Sequence, residues 1–436
     1  MDTRADSYAA RRAAYLAALG EDAALLFGNH HALRNGDAEY RYRQSSDLYY
    51  LTGWEDPDVA ALFRPGAELP FILFVQPKDP AREIWTGIRP GVQGAKEVHG
   101  ADAAFPYAEL HGRLGELLQG YGTLHYRFGE DAERDRTVFS AIQGPARAAM
   151  RNGLDVPHRL VDARRLLAEM RLVKSAEEIA RLRVAADITV EAHVAAMRVG
   201  RPGAFEYEVE AEVDGTFRRR GGNGPGYTTI VGGGKNACIL HYVTNREELR
   251  AGDLCLVDAG CEYAYYTADV TRTWPVSGRF SGPQRDLYEI VLRAQLASID
   301  AARAGRAWKD MHDVSVRALT EGMVAVGLLE GDVDTLIAEE RYRRFYMHGT
   351  GHWLGLDVHD AGAYVVGRGA RPLAPGMVLT VEPGIYVPPD DEDAPEAYRG
   401  IGIRIEDDVL VTDGEPDVLT AACPKRVDDV EAACAR

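Results

Sequence analysis

The sequence lacks the features of several protein classes. No apolar run approaches the ~18 to 20 uninterrupted residues that a membrane-spanning helix needs. Cysteine is scarce, with 5 in 436 residues and no CxxC pair, which argues against a disulfide framework and a thiolate zinc site. Basic residues are outnumbered, because 50 Lys and Arg face 67 Asp and Glu for a net charge of −17. We therefore predict a cytoplasmic protein that binds neither nucleic acid nor membranes and favours cationic partners, metal ions included.

The residues that are present predict two globular domains. A chain of 436 residues exceeds one ordinary domain, and a content of 46% hydrophobic and 27% charged residues excludes a disordered chain. A small α/β domain is predicted over residues 1–165, where PFILFVQP (70–77) and LHYRF (124–128) have the pattern of strands. A second domain is predicted over residues 172–436, because Ser175 and Glu178 form a capping box ahead of apolar residues at helical spacing. Residues 160–174 would connect the two as a helix or strand.

The second domain contains an internal repeat. RAGDLCLVDAGCEY (250–263) and LAPGMVLTVEPGIY (373–386) each place an acid and then a glycine at the end of a strand-like run, 124 positions apart. Upstream, the segments that begin at Val199 and Ala304 both have the pattern of a helix, a Gly-Arg turn and a second helix. Chance similarity between ordinary strands is the alternative. Duplication predicts two similar halves with a shared site between them.

A second acid follows the first in each half. Asp269 comes eleven positions after Asp258, and Glu406 comes twenty-four after Glu382, with a polar loop predicted over residues 388–399. A hairpin in each half would bring its two carboxylates to one face. Carboxylates inside apolar strands need compensating cations, because burial removes their hydration. Salt bridges explain any single acid, but four acids at mirrored positions indicate two divalent metal ions.

Histidines cluster between the two glutamates. His348, His352 and His359 lie within twelve positions, and His241 precedes the first acidic strand. Although His348 and His352 have the spacing of a helical zinc pair, Gly349 and Gly351 disfavour a helix at about 1 kcal/mol each. We therefore predict a loop or strand, with one histidine completing the metal shell and the others available to bind substrate or transfer protons.

Five phrases of the second domain together resemble one enzyme family. They are VDAGCEY, ADVTRTWPV, HGTGHWLGLDVHD, VEPGIY and GIGIRIEDD. The chain is similar to the pita-bread metallopeptidases of the aminopeptidase P type, and RNGDAEYRYRQSSDLYYLTG (34–53) resembles that family's non-catalytic domain. The resemblance implies an α/β (α+β) fold, in which a small N-terminal α/β domain precedes a duplicated pita-bread catalytic domain.

The resemblance also implies a ligand set at the matching positions. Asp258 would bind one metal ion, and Asp269 and Glu406 would bridge both ions. His352 and Glu382 would hold the other ion. Oxygen-rich ligands favour hard cations, so manganese is the expected ion, with cobalt, zinc and magnesium as alternatives.

The remaining matching positions are implied to act on the substrate. His241, His348 and His359 match substrate-binding and transition-state histidines, and Tyr386 is a weaker supporting candidate. Arg404 would project to the same side of a strand as Glu406, two positions on, and orient that acid or the substrate.

The implied activity is that of a Xaa-Pro aminopeptidase. A hydroxide bridging the metal ions would attack the Xaa-Pro carbonyl, with Glu382 as the proton acceptor and His359 as a donor to the oxyanion. The implied partners are peptides that carry proline in the second position and further copies of the chain, in a dimer or tetramer. The alternatives are a prolidase limited to dipeptides, a creatinase-like hydrolase, and an inactive binding protein of the same fold.

Overall fold

The computed structural model describes residues 3–435 and divides the chain into two compact units. One unit ends at Met170 and the other begins at Arg171, within a helix that covers Arg164–Leu172. The predicted connection over residues 160–174 contains this helix. The domain bounds 1–165 and 172–436 stay a prediction. Among the described residues, no helix combines the length and the apolar character that crossing a bilayer would require.

The first unit is built on a mixed sheet of six strands in the order β6-β5-β4-β1-β7-β8. The strands of this unit are β1 (Ala23–Phe27), β2 (Leu33–Asn35), β3 (Ala38–Glu39), β4 (Ala60–Phe63), β5 (Phe71–Val75), β6 (Ala103–Pro106), β7 (Thr123–Tyr126) and β8 (Arg159–Val161). Its helices are α1 (Thr3–Leu19), α2 (Ser46–Thr52), α3 (Pro80–Thr86), α4 (Gly91–Glu97), α5 (Leu110–Leu117), α6 (Ala132–Asn152) and α7 (Arg164–Leu172). Strands β5 and β7 lie in the two apolar runs that predicted strands. The apolar residues of β5 are all buried, so this strand belongs to the core.

The segment around Trp85 begins with a short helix. Asp79 caps this helix, α3, with Pro80 in its first turn, and these are strong helix-start signals. Ile84, Trp85 and Ile88 are 83%, 88% and 85% exposed. The first unit therefore presents three large apolar side chains to its surface.

The second unit packs helices against several short antiparallel sheets. Its helices are α8 (Ala176–Val199), α9 (Glu206–Arg219), α10 (Gly282–Ala301), α11 (Trp308–Ala325), α12 (Val333–Ala338) and α13 (Val427–Cys434). Its strands are β9 (Gly224–Pro225), β10 (Ile230–Gly233), β11 (Leu254–Ala259), β12 (Cys261–Tyr263), β13 (Tyr266–Thr267), β14 (Val270–Pro275), β15 (Val365–Val366), β16 (Gly369–Ala370), β17 (Val378–Val381), β18 (Gly384–Tyr386), β19 (Gly402–Arg404), β20 (Asp407–Leu410) and β21 (Asp417–Val418). The capping box predicted at the start of α8 is present, with both Ser175 and Glu178 bonds formed.

The internal repeat of the sequence corresponds to a repeat in the structure. Strands β11 and β17 begin at Leu254 and Val378, again 124 positions apart. An isolated antiparallel bridge joins Phe205 to Glu248 in the first half, and another joins Ala307 to Pro372 in the second. Each half also contains a helix pair, α8 with α9 and α10 with α11. The two halves therefore share their order of helices and strands as well as their sequence pattern.

Both predicted acidic hairpins are formed. Ala259 pairs with Val270 across β11 and β14, and the pairing continues to the turn through β12 and β13. A side chain at Gly260 would collide with the Ala268 carbonyl oxygen, so only glycine allows this close approach. The second hairpin pairs β18 with β19, and its connection contains the predicted polar loop. The backbone register thus brings the acids of each half together.

A buried ion pair connects the two halves beside the acidic hairpins. Arg272 on β14 and Asp407 on β20 are both fully buried, with Nη2 and Oδ1 2.7 Å apart. Lys425 donates to the other Asp407 oxygen at 2.6 Å. Burial alone would raise the pKa of Asp407, but Arg272 and then Lys425 lower it to about 2. The ion pair thus keeps Asp407 charged inside the protein.

We expect Asp407→Asn to destabilise the second unit by about 3–5 kcal/mol, because Arg272 would stay buried without a carboxylate. The folded-state pKa lies below the unfolded value of about 3.9, so the wild-type contribution is present above that pH and is lost as pH falls toward 2. Denaturant unfolding at several pH values measures both effects. Asp313→Asn, in an exposed pair with Lys309, is the control. Equal stability of the two variants would contradict the role of the ion pair.

Candidate metal and substrate site

One cavity of the second unit, with a volume of about 460 Å³, is lined by every predicted site residue. These residues are His241, Asp258, Asp269, His348, His352, His359, Glu382, Arg404 and Glu406. They come from segments spread over more than 160 positions of the chain. The fold therefore assembles the predicted set in one place, while the individual roles remain predictions.

Three of the five predicted metal ligands are close enough to share one ion. Asp269, His352 and Glu406 each offer a ligand atom within 4.8 Å of the others. His352 Nε2 lies 3.3 Å from Asp269 Oδ2 and 3.7 Å from Glu382 Oε1. Asp269 immediately precedes β14 and Glu406 immediately precedes β20, so the two halves contribute equivalent acids. Carboxylate oxygens with one imidazole form a donor set suited to hard divalent ions.

The acids carry more negative charge than the protein itself compensates. Burial, and then the neighbouring carboxylates, raise the pKa of Asp269 and Glu406. Burial is also the main cause that raises the pKa of Glu382 to about 7, against the opposing effects of His352 and Arg404. Among the described residues that line the cavity, Arg404 is the one arginine and no lysine accompanies it. The carboxylates therefore fit a site for divalent cations, which would restore their charged forms.

The acids beside His352 favour its protonated form. Burial lowers its pKa, but the hydrogen bond and charge of Asp269, followed by Glu382, outweigh burial and raise the pKa to about 9. A metal ion must displace this proton, because only neutral imidazole is a ligand. Metal binding at this position is thereby coupled to proton release.

Arg404 contacts one acid directly and a second through a threonine. Its Nη2 donates to Asp258 Oδ2 at 2.6 Å, and its Nη1 donates to the Tyr386 hydroxyl at 3.0 Å. Its Nε donates at 3.0 Å to the Thr271 hydroxyl, which donates in turn to Glu406 at 2.7 Å. The direct contact with Asp258 arises from the packing of the two halves, which brings β19 of one half against β11 and β14 of the other. Arg404 thus orients Asp258 directly and Glu406 through Thr271, while a role toward the substrate stays a prediction.

The histidines lie on irregular segments, as their glycine neighbours predicted. His348 Nε2 is 2.9 Å from the hydroxyl of Tyr386, the weaker candidate of the sequence analysis, and this contact supports a role for Tyr386 beside the histidine. Burial, and then the charge of Arg404, lower the pKa of His348 to about 4, so the ring is neutral at neutral pH. The His359 ring centre lies 4.4 Å from that of His352. His241 is exposed on a loop at the edge of the cavity.

Three site residues were not identified in the sequence. The Tyr227 hydroxyl bonds to Asp258 at 2.5 Å and also to Asp269, and no local pattern marks this tyrosine. Thr271 could have been found, since it follows Asp269 by two positions on one strand and strand side chains alternate. The Asp408 carboxylate accepts from the Asp269 amide at 3.1 Å and fixes the backbone of that acid.

Comparison with protein families finds two matches. Residues 180–413 match the model of metallopeptidase family M24, which covers more than half of the chain. Residues 8–125 match the model described as the aminopeptidase P N-terminal domain. The order of the two models along the chain follows the order of its two compact units.

Individual relatives and solved structures agree with these families. A Xaa-Pro aminopeptidase of Escherichia coli is 46% identical over 412 residues, which cover 94% of this chain and 93% of the relative. Xaa-Pro aminopeptidase 1 of Streptomyces coelicolor is 38% identical over 443 residues, which cover 97% of this chain and 86% of the relative. The structure of Pseudomonas aeruginosa aminopeptidase PepP superposes with a TM-score of 0.96 at 45% identity over 99% and 98% of the two chains.

We expect Asp269→Asn and His352→Ala to lower the content of bound divalent metal, because each removes a donor from the set within 4.8 Å. Elemental analysis after dialysis against Mn²⁺ measures the metal content of each variant. Glu289→Gln, on an exposed face of α10, should keep the wild-type content. Wild-type metal content in both ligand variants would show that the assigned ligands are wrong.

Proposed function

The chain belongs to metallopeptidase family M24, and we propose that its site removes the amino-terminal residue from peptides with proline in the second position. The observation that carries this function is the convergence of all predicted ligands and histidines on one cavity. Similarity to Xaa-Pro aminopeptidases extends over 94% of the chain. This extent of similarity supports an aminopeptidase over a prolidase, a creatinase-like hydrolase or an inactive binding protein.

Two divalent ions are proposed as cofactors, with Asp258, Asp269, His352, Glu382 and Glu406 as their ligands. The proposal is supported by the paired acids of the two halves and by the compensation that these acids require. Manganese is the proposed ion, since the donors are mainly carboxylate oxygens. When bound, such ions acidify a water molecule and polarise the carbonyl of the scissile bond.

The ligand Glu382 and the side chains around the ligands transfer the proton, stabilise the oxyanion and bind the substrate. Glu382 accepts the proton of the attacking water and passes it to the departing proline nitrogen. His359 donates a hydrogen bond to the oxygen that becomes negative in the tetrahedral intermediate. His348 and His241 bind and orient the peptide, while Arg404 keeps Asp258 in place through its 2.6 Å hydrogen bond.

The apolar part of the cavity suits a proline ring. The aliphatic side chains of Ile230, Leu240 and Val358 line the same cavity as the histidines. A Xaa-Pro bond has no N–H, so a proline pocket needs no acceptor for that group. The acidic end of the cavity would attract the free amino terminus of the substrate.

We expect the Mn²⁺-loaded protein to cleave a tripeptide Xaa-Pro-Xaa at its first bond, and to leave Xaa-Ala-Xaa intact because the proline pocket selects the ring. Mass spectrometry of the products measures both reactions. Cleavage restricted to the dipeptide Xaa-Pro would instead identify a prolidase. Binding without turnover would identify an inactive member of the family.

A homo-oligomer in the cytoplasm is part of the proposal. Oligomerisation is supported by Ile84, Trp85 and Ile88, which are each more than 80% exposed within five positions. The cytoplasmic location is supported by the cysteines, since all five are free and Cys255, Cys261 and Cys423 are buried.

We expect the wild type to be a dimer or tetramer, and the double variant Ile84→Ser with Trp85→Ser to dissociate, because both apolar side chains would lose their burial in the interface. Light scattering after size-exclusion chromatography measures the mass. Leu33→Ser, at a separate exposed apolar position, is the matched control. A monomeric wild type would contradict the proposed assembly.

A further inference from the structure

A buried carboxylate outside the metal site accepts four hydrogen bonds. Glu206 is the first residue of α9 and is 0% exposed. Its Oε1 accepts from the Gly233 amide at 2.8 Å and from Asn236 Nδ2 at 2.9 Å. Its Oε2 accepts from the Tyr242 hydroxyl and the Glu247 amide, both at 2.9 Å. The amino terminus of α9 further stabilises this negative charge.

Glu206 holds the segment that carries one of the site histidines. We define residues 239–247 as the His241 loop, and none of these residues is in a helix or strand. Leu240, His241 and Val243 line the catalytic cavity, whereas Tyr242 lines a separate cavity together with Asn236. The loop therefore presents neighbouring side chains to opposite sides. Anchoring Tyr242 on one side determines where His241 lies on the other.

The far end of the loop has a second attachment. Asn245 has a positive φ of 48°, and its side chain accepts from the Val231 amide at 3.0 Å and donates to the Thr229 carbonyl at 2.8 Å. These bonds fasten the loop to β10 and to the residue before it, and Glu206 binds the loop on either side of Asn245, at Tyr242 and at Glu247. We propose that Glu206, through Tyr242 and the Glu247 amide, is a positioning residue that holds His241 toward the peptide; this rests on the proposed function.

A carboxylate is required because all four partners are donors. Glutamine would offer one acceptor oxygen, and its NH₂ group would face two of the donors. Burial, and then the bond to Glu206, raise the pKa of Tyr242 to about 12, so the hydroxyl stays a neutral donor. Glu206→Gln therefore breaks two contacts of the carboxylate with little change in volume. Tyr242→Phe removes one donor to Glu206, together with the acceptor of a 3.1 Å hydrogen bond from Asn236 Nδ2.

The test compares these variants with matched controls on α9. Tyr242→Phe should lower kcat/KM for Xaa-Pro-Xaa about tenfold, mainly through KM, and Glu206→Gln up to about 100-fold, since small misplacements of a substrate-contacting group have effects of this size. Tyr207→Phe and Glu212→Gln, both at less buried positions of the helix, should match the wild type. Metal content should be unchanged in all variants, because the ligands lie on other segments.

A double-mutant cycle with His241→Ala separates positioning from general destabilisation. If Tyr242 acts through His241, Tyr242→Phe causes almost no further loss of kcat/KM in the His241→Ala background. An undiminished loss in that background, or wild-type kinetics of Tyr242→Phe, would overturn the inference. If Glu206→Gln does not fold, the cycle with Tyr242→Phe still decides.

Hydrogen exchange distinguishes this inference from the proposed function. The amide that faces the new NH₂ group, either Gly233 or Glu247, should exchange faster in Glu206→Gln than in Glu212→Gln, whatever the substrate. Unchanged exchange would overturn the anchor. A metal-loaded wild type that fails to cleave Xaa-Pro peptides, with the exchange result as expected, would overturn the proposed function and leave the anchor standing.

Discussion

Mutual repulsion among buried carboxylates is the constraint on which the second unit depends. Asp269 and Glu406 come from different halves, lie within reach of one imidazole, and have raised pKa values because burial and like charge oppose their ionisation. Such an arrangement costs stability unless cations enter it. The nearby Arg272–Asp407 pair shows the opposite case, a buried acid whose charge the chain compensates by itself. This contrast supports the proposal that Asp269 and Glu406 bind metal, whereas Asp407 stabilises the fold.

The duplicated architecture explains how four carboxylates come to lie close together. The two halves are nevertheless not equivalent. Each half supplies one hairpin with two acids, so the backbone register positions the four carboxylates rigidly. The second half alone adds His352 to the proposed ligand set. In the first hairpin Asp269 lies diagonal to Asp258, whereas in the second Glu382 and Glu406 lie opposite each other beyond the Val381–Asp407 pair. Similar strands thus carry a proposed ligand set that differs between the two halves.

The histidines that we propose to contact the substrate have a different structural basis from the acids. The acids lie in strands or directly beside them, but His241, His348 and His359 lie on segments without regular structure, where side chains must supply the rigidity. Tyr386 contacts His348, and Glu206 binds the neighbours of His241. These contacts lie outside the proposed ligand set, and they hold His348 and the neighbours of His241 in place.

The repeat, its four acids and the two hairpins could be read from the sequence, because strand alternation and glycine spacing are local properties that survive folding. The assignment of individual ligands came from the resemblance to a family. Tertiary structure alone decided that Arg404 binds Asp258, 146 positions away, and that Tyr227 joins the acids. It also decided that the His241 loop is held by Glu206. These contacts join residues distant in the chain, and their partners depend on how the two halves pack, which no local pattern of residues encodes.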